Sequence, residues 1–141
     1  MTATRGGTMN LQWAKRWLRE FTPEGIAQTM SMYADQVDFE DVTLGHREST
    51  AAGIQRFFTS FSRGPSRHRF EVTNWAGDEN GGAMEWTWRS KHETDIFGVP
   101  AKGKETTVRG ISYVGLRDGK IAAERDYWDC ATLLRQLGAL K

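Results

Sequence analysis

A chain of 141 residues with 19 basic and 18 acidic side chains, net charge +1, is long enough for one well-packed domain and offers no electrostatic case for a nucleic-acid partner. The single Cys130 excludes an internal disulfide, no Cys/His group has zinc spacing, and no apolar run reaches membrane-spanning length. Metal, nucleic acid and membrane are therefore not expected partners, and M-T-A-T-R-G-G-T lacks the apolar core of a secretory signal, so a cytoplasmic location is expected.

Residues 1–9 read as a flexible tail and residues 10–141 as a single domain. From about residue 10, Trp13, Trp17 and Phe21 recur every four positions with Leu11, Ala14 and Leu18 beside them, which predicts an amphipathic helix. Thr22-Pro23-Glu24 then supplies a cap, a proline at the first helical position and an acid in the first turn. The second helix carries Ile26, Met30 and Tyr33 on one face. A short strand over 37–43 leads through a polar, Gly-containing loop that holds His46 to a third helix, striped by Ile54, Phe57, Phe58 and Phe61.

The rest of the chain reads as antiparallel sheet. A strand over 67–76 alternates His68, Phe70 and Val72; D-E-N-G-G makes a hairpin turn; a strand over 83–92 sets Met84, Trp86 and Trp88 against Glu85, Thr87 and Arg89. Residues 94–104 carry Ile96, Phe97, Val99 and Pro100, apolar enough for a lid or a subunit contact. R-G-I-S-Y-V-G-L, the turn R-D-G-K and I-A-A-E-R-D-Y-W-D form a second hairpin. Asp129 caps a last short helix with Leu133, Leu134 and Leu137 on one face and Gly138 as its stop. The order predicts an α+β fold: a strongly curved antiparallel sheet wrapped around about three N-terminal helices, a short C-terminal helix and an apolar cavity. Arg109, Ile111, Tyr113, Arg125 and Tyr127 point to the outer sheet face, a pattern that suits a homodimer.

Asp126 alternates with Ala122 and Trp128, which puts a carboxylate on the same sheet face as a large aromatic. Six tryptophans are many for this length, and Trp17, Trp86, Trp88 and Trp128 all fall on inward faces, so they suit an apolar cavity with a polar centre. His92 continues the Trp86 and Trp88 face toward the cavity rim. Each has a plainer explanation: Asp126 as a bonded structural group, Asp41 as a turn cap at a strand end, Glu124 at the cavity mouth or in solvent.

Tyr33 to Asp41 (Y-A-D-Q-V-D-F-E-D), the W-x-W hairpin, and G-K-I…R-D-Y-W-D…L-L-R-Q-L-G resemble a SnoaL-like polyketide cyclase of the nuclear transport factor 2-like superfamily. That superfamily has a cone-shaped fold and also contains ketosteroid isomerases and limonene-epoxide hydrolases, and the resemblance runs from about residue 10 to 139. By resemblance, Asp126 matches the acid or base of the cyclases and hydrolases, and Asp41 the general base of the isomerases. The isomerases' oxyanion tyrosine falls at Trp17 and their protonated aspartic acid near Ser112, while the hydrolases' Arg-x-Asp pair is absent around Trp86 and Trp88, which argues against both reactions. The implied activity is proton transfer, without cofactor or metal, on a small, largely apolar cyclic or ketonic compound. Asp126 is its acid/base, Trp86, Trp88 and Trp128 stack on the substrate, and Ser112 donates to its carbonyl. The alternative is a non-catalytic small-molecule-binding or dimerisation module of the same fold.

Overall fold

In the computed structural model, which describes residues 9–140, six strands form one curved sheet with four short helices. In chain order these are α1 (Leu11–Ala14), α2 (Pro23–Thr29) with a single 3-10 turn (Met30–Met32), β1 (Tyr33–Asp41), β2 (His46–Thr50), α3 (Ala51–Ser62), β3 (Arg67–Asp78), β4 (Gly81–Lys91), β5 (Glu105–Arg117), β6 (Lys120–Trp128) and α4 (Cys130–Gln136). The sheet order is β2-β1-β6-β5-β4-β3, antiparallel throughout except where β1 runs parallel to β6. Register shifts interrupt β1, β3 and the β5–β6 ladder, and such bulges bend a sheet toward a concave face. The core lies in that concavity, where Ile26, Ile54 and Phe58 of the helices meet Phe39, Val72, Met84, Val108, Val114 and Ile121 of the strands. No helix among the described residues is long and apolar enough to cross a membrane.

Each helix starts where a polar side chain satisfies a free N–H: Asn10 accepts from Trp13 N, Thr22 from Gly25 N, Thr50 from Gly53 N and Asp129 from Thr132 N. Such a cap contributes about 1 kcal/mol. The capped starts of α2 and α4 and the stripe of α3 agree with the expectations from sequence, as do both hairpins. The second hairpin turns at Asp118 and Gly119, both left-handed (φ 53° and 77°), the geometry a two-residue turn needs.

Three expectations give way. The first helix is one turn long, not three. After Ala14 the chain tightens (Arg16 N to Trp13 O, Trp17 N to Ala14 O) and then reverses at Leu18, whose φ is 47°. Thr29 Oγ1 accepts from Leu18 N, and the reversal buries Trp17, Leu18 and Phe21 together. A short isolated helix is marginal, so burial of three large side chains outweighs the periodic pattern. Tyr33 is not on α2 but opens β1. The loop expected around His46 is strand β2, an edge strand spelled H-R-E-S-T, whose charges suit an exposed edge and erase the hydrophobic alternation.

Residues 94–104 fold back as a tight turn, with paired hydrogen bonds between Ile96 and Val99 and left-handed Phe97 and Gly98 at its tip. Ile96 and Ala101 are buried. Phe97 lies against Trp128 at 5.9 Å and against the edge of Phe61 at 5.8 Å.

Candidate active site

The parallel β1–β6 ladder sets Asp41 beside Asp126, and the β5–β6 ladder sets Ser112 on Asp126's other side. Strand alternation then brings Glu124 and Trp128 to the same face of β6. Three carboxyl groups are thereby buried together: Asp41 is 6 % exposed, Asp126 4 % and Glu124 0 %. Above Asp41 and Asp126 opens a cleft holding about 510 Å³ of atom-free space counted out to its mouth, walled by Trp17, Phe58, Phe61, Phe70, Trp86, Trp88, Phe97 and Trp128.

One glycine makes the wall possible. A Cβ at Gly110 would stand 2.4 Å from the Trp86 ring and 2.8 Å from Trp128 Cβ, so only glycine lets both indoles lie where they do. Trp86 packs against Trp17 and Phe70, and Trp88 meets Trp128 edge-on at 5.7 Å.

The polar groups are tied into a directed network. Trp17 Nε1 donates to Tyr33 Oη (2.8 Å), and Tyr33 Oη donates to Glu124 Oε1 (2.6 Å). From the other side Trp86 Nε1 donates to Ser112 Oγ (2.9 Å), and Ser112 Oγ donates to Asp126 Oδ1 (2.6 Å). Asp41 accepts from Trp128 Nε1 at 3.1 Å on both oxygens and from Leu44 N at 3.0 Å. No Lys, Arg or His forms an ion pair with these three carboxyls among the described residues.

Burial without a counter-ion governs the protonation. Asp126 is held well above the usual carboxylate range, first by burial, then by the charge of Glu124 and the hydrogen bond to it, with Ser112 pulling the other way. Glu124 is raised by burial against the hydrogen bonds from Asp126 and Tyr33. Burial also raises Asp41, opposed by the Leu44 and Trp128 N–H groups. Tyr33 is pushed well above its ordinary value by burial and by Glu124 and Asp126, so its hydroxyl keeps its proton. Burial of this kind shifts a carboxyl's titration upward from its ordinary range.

The structure brings six of the eight residues expected from sequence to the cleft: Asp41, Asp126, Trp17, Trp86, Trp88 and Trp128. Ser112 is fully buried behind Asp126 and gives its hydrogen to that carboxyl rather than to a ligand's carbonyl. His92 is off the cavity rim: it is buried, hydrogen-bonded through Nε2 to Thr106, and lies beside His68 in a separate depression. Asp41 bonds Leu44 N, as a turn cap does, yet also lines the cleft. Glu124 is neither at the mouth nor in solvent. It and Tyr33 are the site residues sequence reasoning missed. The alternation Glu124, Asp126, Trp128 was the available signal for the first; a tyrosine placed on a helix face gave none for the second. No three His, Cys, Asp or Glu side chains among the described residues converge as a metal requires.

The sequence profile of SnoaL-like polyketide cyclases matches residues 12–137. No curated protein matches the chain. Its nuclear transport factor 2-like fold is shared by TsrD from Streptomyces laurentii, 18 % identical with a TM-score of 0.73 over 92 % of each chain. It is shared by a candidate SnoaL-like polyketide cyclase from Shewanella denitrificans OS-217, 17 % identical with a TM-score of 0.75 over 91 % of this chain and 96 % of that one. A Catenulispora acidiphila protein with a ketosteroid isomerase-like fold, crystallised with trimethylamine, is 17 % identical with a TM-score of 0.69 over 92 % and 90 %.

Proposed function

The chain belongs to the SnoaL-like polyketide cyclase family, and from that premise we propose that it is a cofactor-independent acid/base enzyme acting on a small, largely apolar cyclic or ketonic compound. The observation that carries this reading is Asp126 on the floor of a tryptophan-walled cleft, buried, without a counter-ion and held toward its neutral form. Asp126 takes a proton from the carbon next to a carbonyl or returns one to oxygen. Asp41, on the same floor, is the second carboxyl within reach of the ligand. Trp86, Trp88 and Trp128 hold the ligand's faces, and the closed walls exclude water while the groups are aligned. Exposed Ile111, Tyr113 and Tyr127 on the outer sheet face support a homodimer.

One observation favours the binding-module reading. The N–H of Trp17 and the hydroxyl of Ser112 are both spent within the network, so neither is free to stabilise an enolate. Deuterium uptake separates the two. A panel of cyclic ketones and aromatic polyketide-like diketones is incubated in heavy water, and exchange next to the carbonyl is followed by NMR. Wild-type exchange is expected to exceed that of Asp126→Asn by about 10²–10⁴-fold. The variant's melting temperature should not fall, because an amide can replace the neutral acid. Equal exchange by the two proteins, with a panel compound still bound, overturns the enzymatic reading in favour of ligand binding.

A further inference from the structure

Of the buried side-chain nitrogens and oxygens among the described residues, Glu124 Oε2 alone lacks a hydrogen-bond donor. An unmet buried acceptor on a charged group is costly, so the donor has to be found. The network's polarity identifies it. Both ends are indoles, which donate and never accept, so each hydroxyl is forced to pass its hydrogen inward: Tyr33 to Glu124 Oε1, Ser112 to Asp126 Oδ1. The buried acid beside Glu124 is Asp126, two positions along the same face of β6. One proton on Asp126 therefore satisfies the orphan oxygen and completes every bond in the chain. A second proton finds room only on the side of Asp126 that lines the cleft; none would leave two adjacent buried carboxylates without a cation.

We propose that Glu124 is a positioning residue for the acid–base step, sharing one proton with Asp126 and taking that proton up whenever Asp126 accepts another from substrate. This rests on the reading of Asp126 as the group that meets the ligand; Glu124, with no exposure, does not touch it. When a C–H bond next to a carbonyl breaks, its electron pair stays on the substrate as enolate and its proton goes to the cleft-facing oxygen of Asp126. The proton Asp126 already held crosses to Glu124. The pair passes from one negative charge to none, and the reverse hop lets Asp126 return a proton to the substrate's oxygen or another carbon. Base first and acid second, the pair never becomes a dianion.

The titratable groups facing the pair are Tyr33 and Asp41, both from β1; β5 contributes Ser112 and β4 stands behind it with Trp86. Carbon-13 NMR titration of the side-chain carboxyls, without substrate, tests the sharing. In the wild type the signals of residues 124 and 126 should move together through one step. In Glu124→Gln the amide donates to residue 126 and the neighbouring charge is gone, so the Asp126 midpoint should fall by about one pH unit or more. Tyr33→Phe removes a donor from the Glu124 carboxylate, so the pair's first proton loss should move to higher pH. A Glu124 that only packs would lower the melting temperature in either variant and leave the midpoints in place, which overturns the proposal. Should Glu124→Gln fail to fold, Tyr33→Phe decides: an upward shift supports the shared proton and an unmoved midpoint refutes it. Turnover plays no part in this measurement. A shared proton together with undiminished exchange by Asp126→Asn sinks the enzymatic reading alone, and independent titration with an inactive Asp126→Asn sinks the role of Glu124 alone.

Discussion

Asp126 binds its proton more tightly in the folded chain than unfolded, so it contributes stability that is fully present below the ordinary carboxylate range, near 4. That contribution is lost as pH rises through the raised folded value. His68 works against it: burial and neighbouring His92 hold its pKa down at about 4, so its contribution is present above the ordinary value of 6.5 and lost as pH falls toward 4. The wild-type profile mixes these, but subtraction isolates the carboxyl. The melting temperature of Asp126→Asn minus that of the wild type should increase steadily from pH 5 to pH 8, by several degrees at about 3–5 °C per kcal/mol for a chain of this length. A difference that stays flat with pH, measured by calorimetric scans in matched buffers, would show that Asp126 ionises as freely folded as unfolded.

At the scale of elements, β4, β5 and β6 hold the cleft wall because β5 yields space at Gly110. Gly110→Ala forces Trp86 and Trp128 apart, and overfilling a packed site typically costs about 1–3 kcal/mol. The expected result is a lower urea midpoint and a lost calorimetric binding signal for compounds that the wild type binds. Full retention of binding would mean that the indoles do not form the ligand's seat. How much of these elements the sequence reveals depends on whether a pattern is local. The β4 alternation of Met84, Trp86 and Trp88 and the turn at Asp118-Gly119 carry their own signals and were legible. The β2 strand was not, because an edge strand of charged residues has no apolar face to show. The reversal at Leu18 was not either, because the hydrogen bond that fixes it comes from Thr29 on another element.

Across the whole molecule, the concave face carries the core and the cleft, and the convex face is left with Ile111 40 % exposed, Tyr113 51 % and Tyr127 49 %. Arg125 among them pairs with Asp38 Oδ2 at 2.8 Å. A two-fold pairing of these faces should give a dimer in sedimentation equilibrium, with Tyr113→Asp and Tyr127→Asp together shifting it to monomer. A wild-type monomer at tens of micromolar would remove the dimer from the reading of this surface. The fold class was legible because alternation and element order encode it. The protonation network was not, because it needs the register of β1 against β6 and of β5 against β6, which no local pattern specifies. Ser112 shows the gap: its strand was right, but only the register reveals that its hydroxyl is aimed at Asp126.

The parallel β1–β6 pairing has a consequence for how the site comes into being. Asp41 meets Trp128 across 87 positions of chain, and Tyr33 meets Glu124 across 91. Contacts that distant are the slowest to close, because the loop between them must be ordered first. During synthesis β1 leaves the ribosome with its buried carboxyl and tyrosine unpartnered and waits through four intervening strands for β6. Assembly of the cleft and completion of the fold are thus one event, and a nascent chain short of residue 128 has neither.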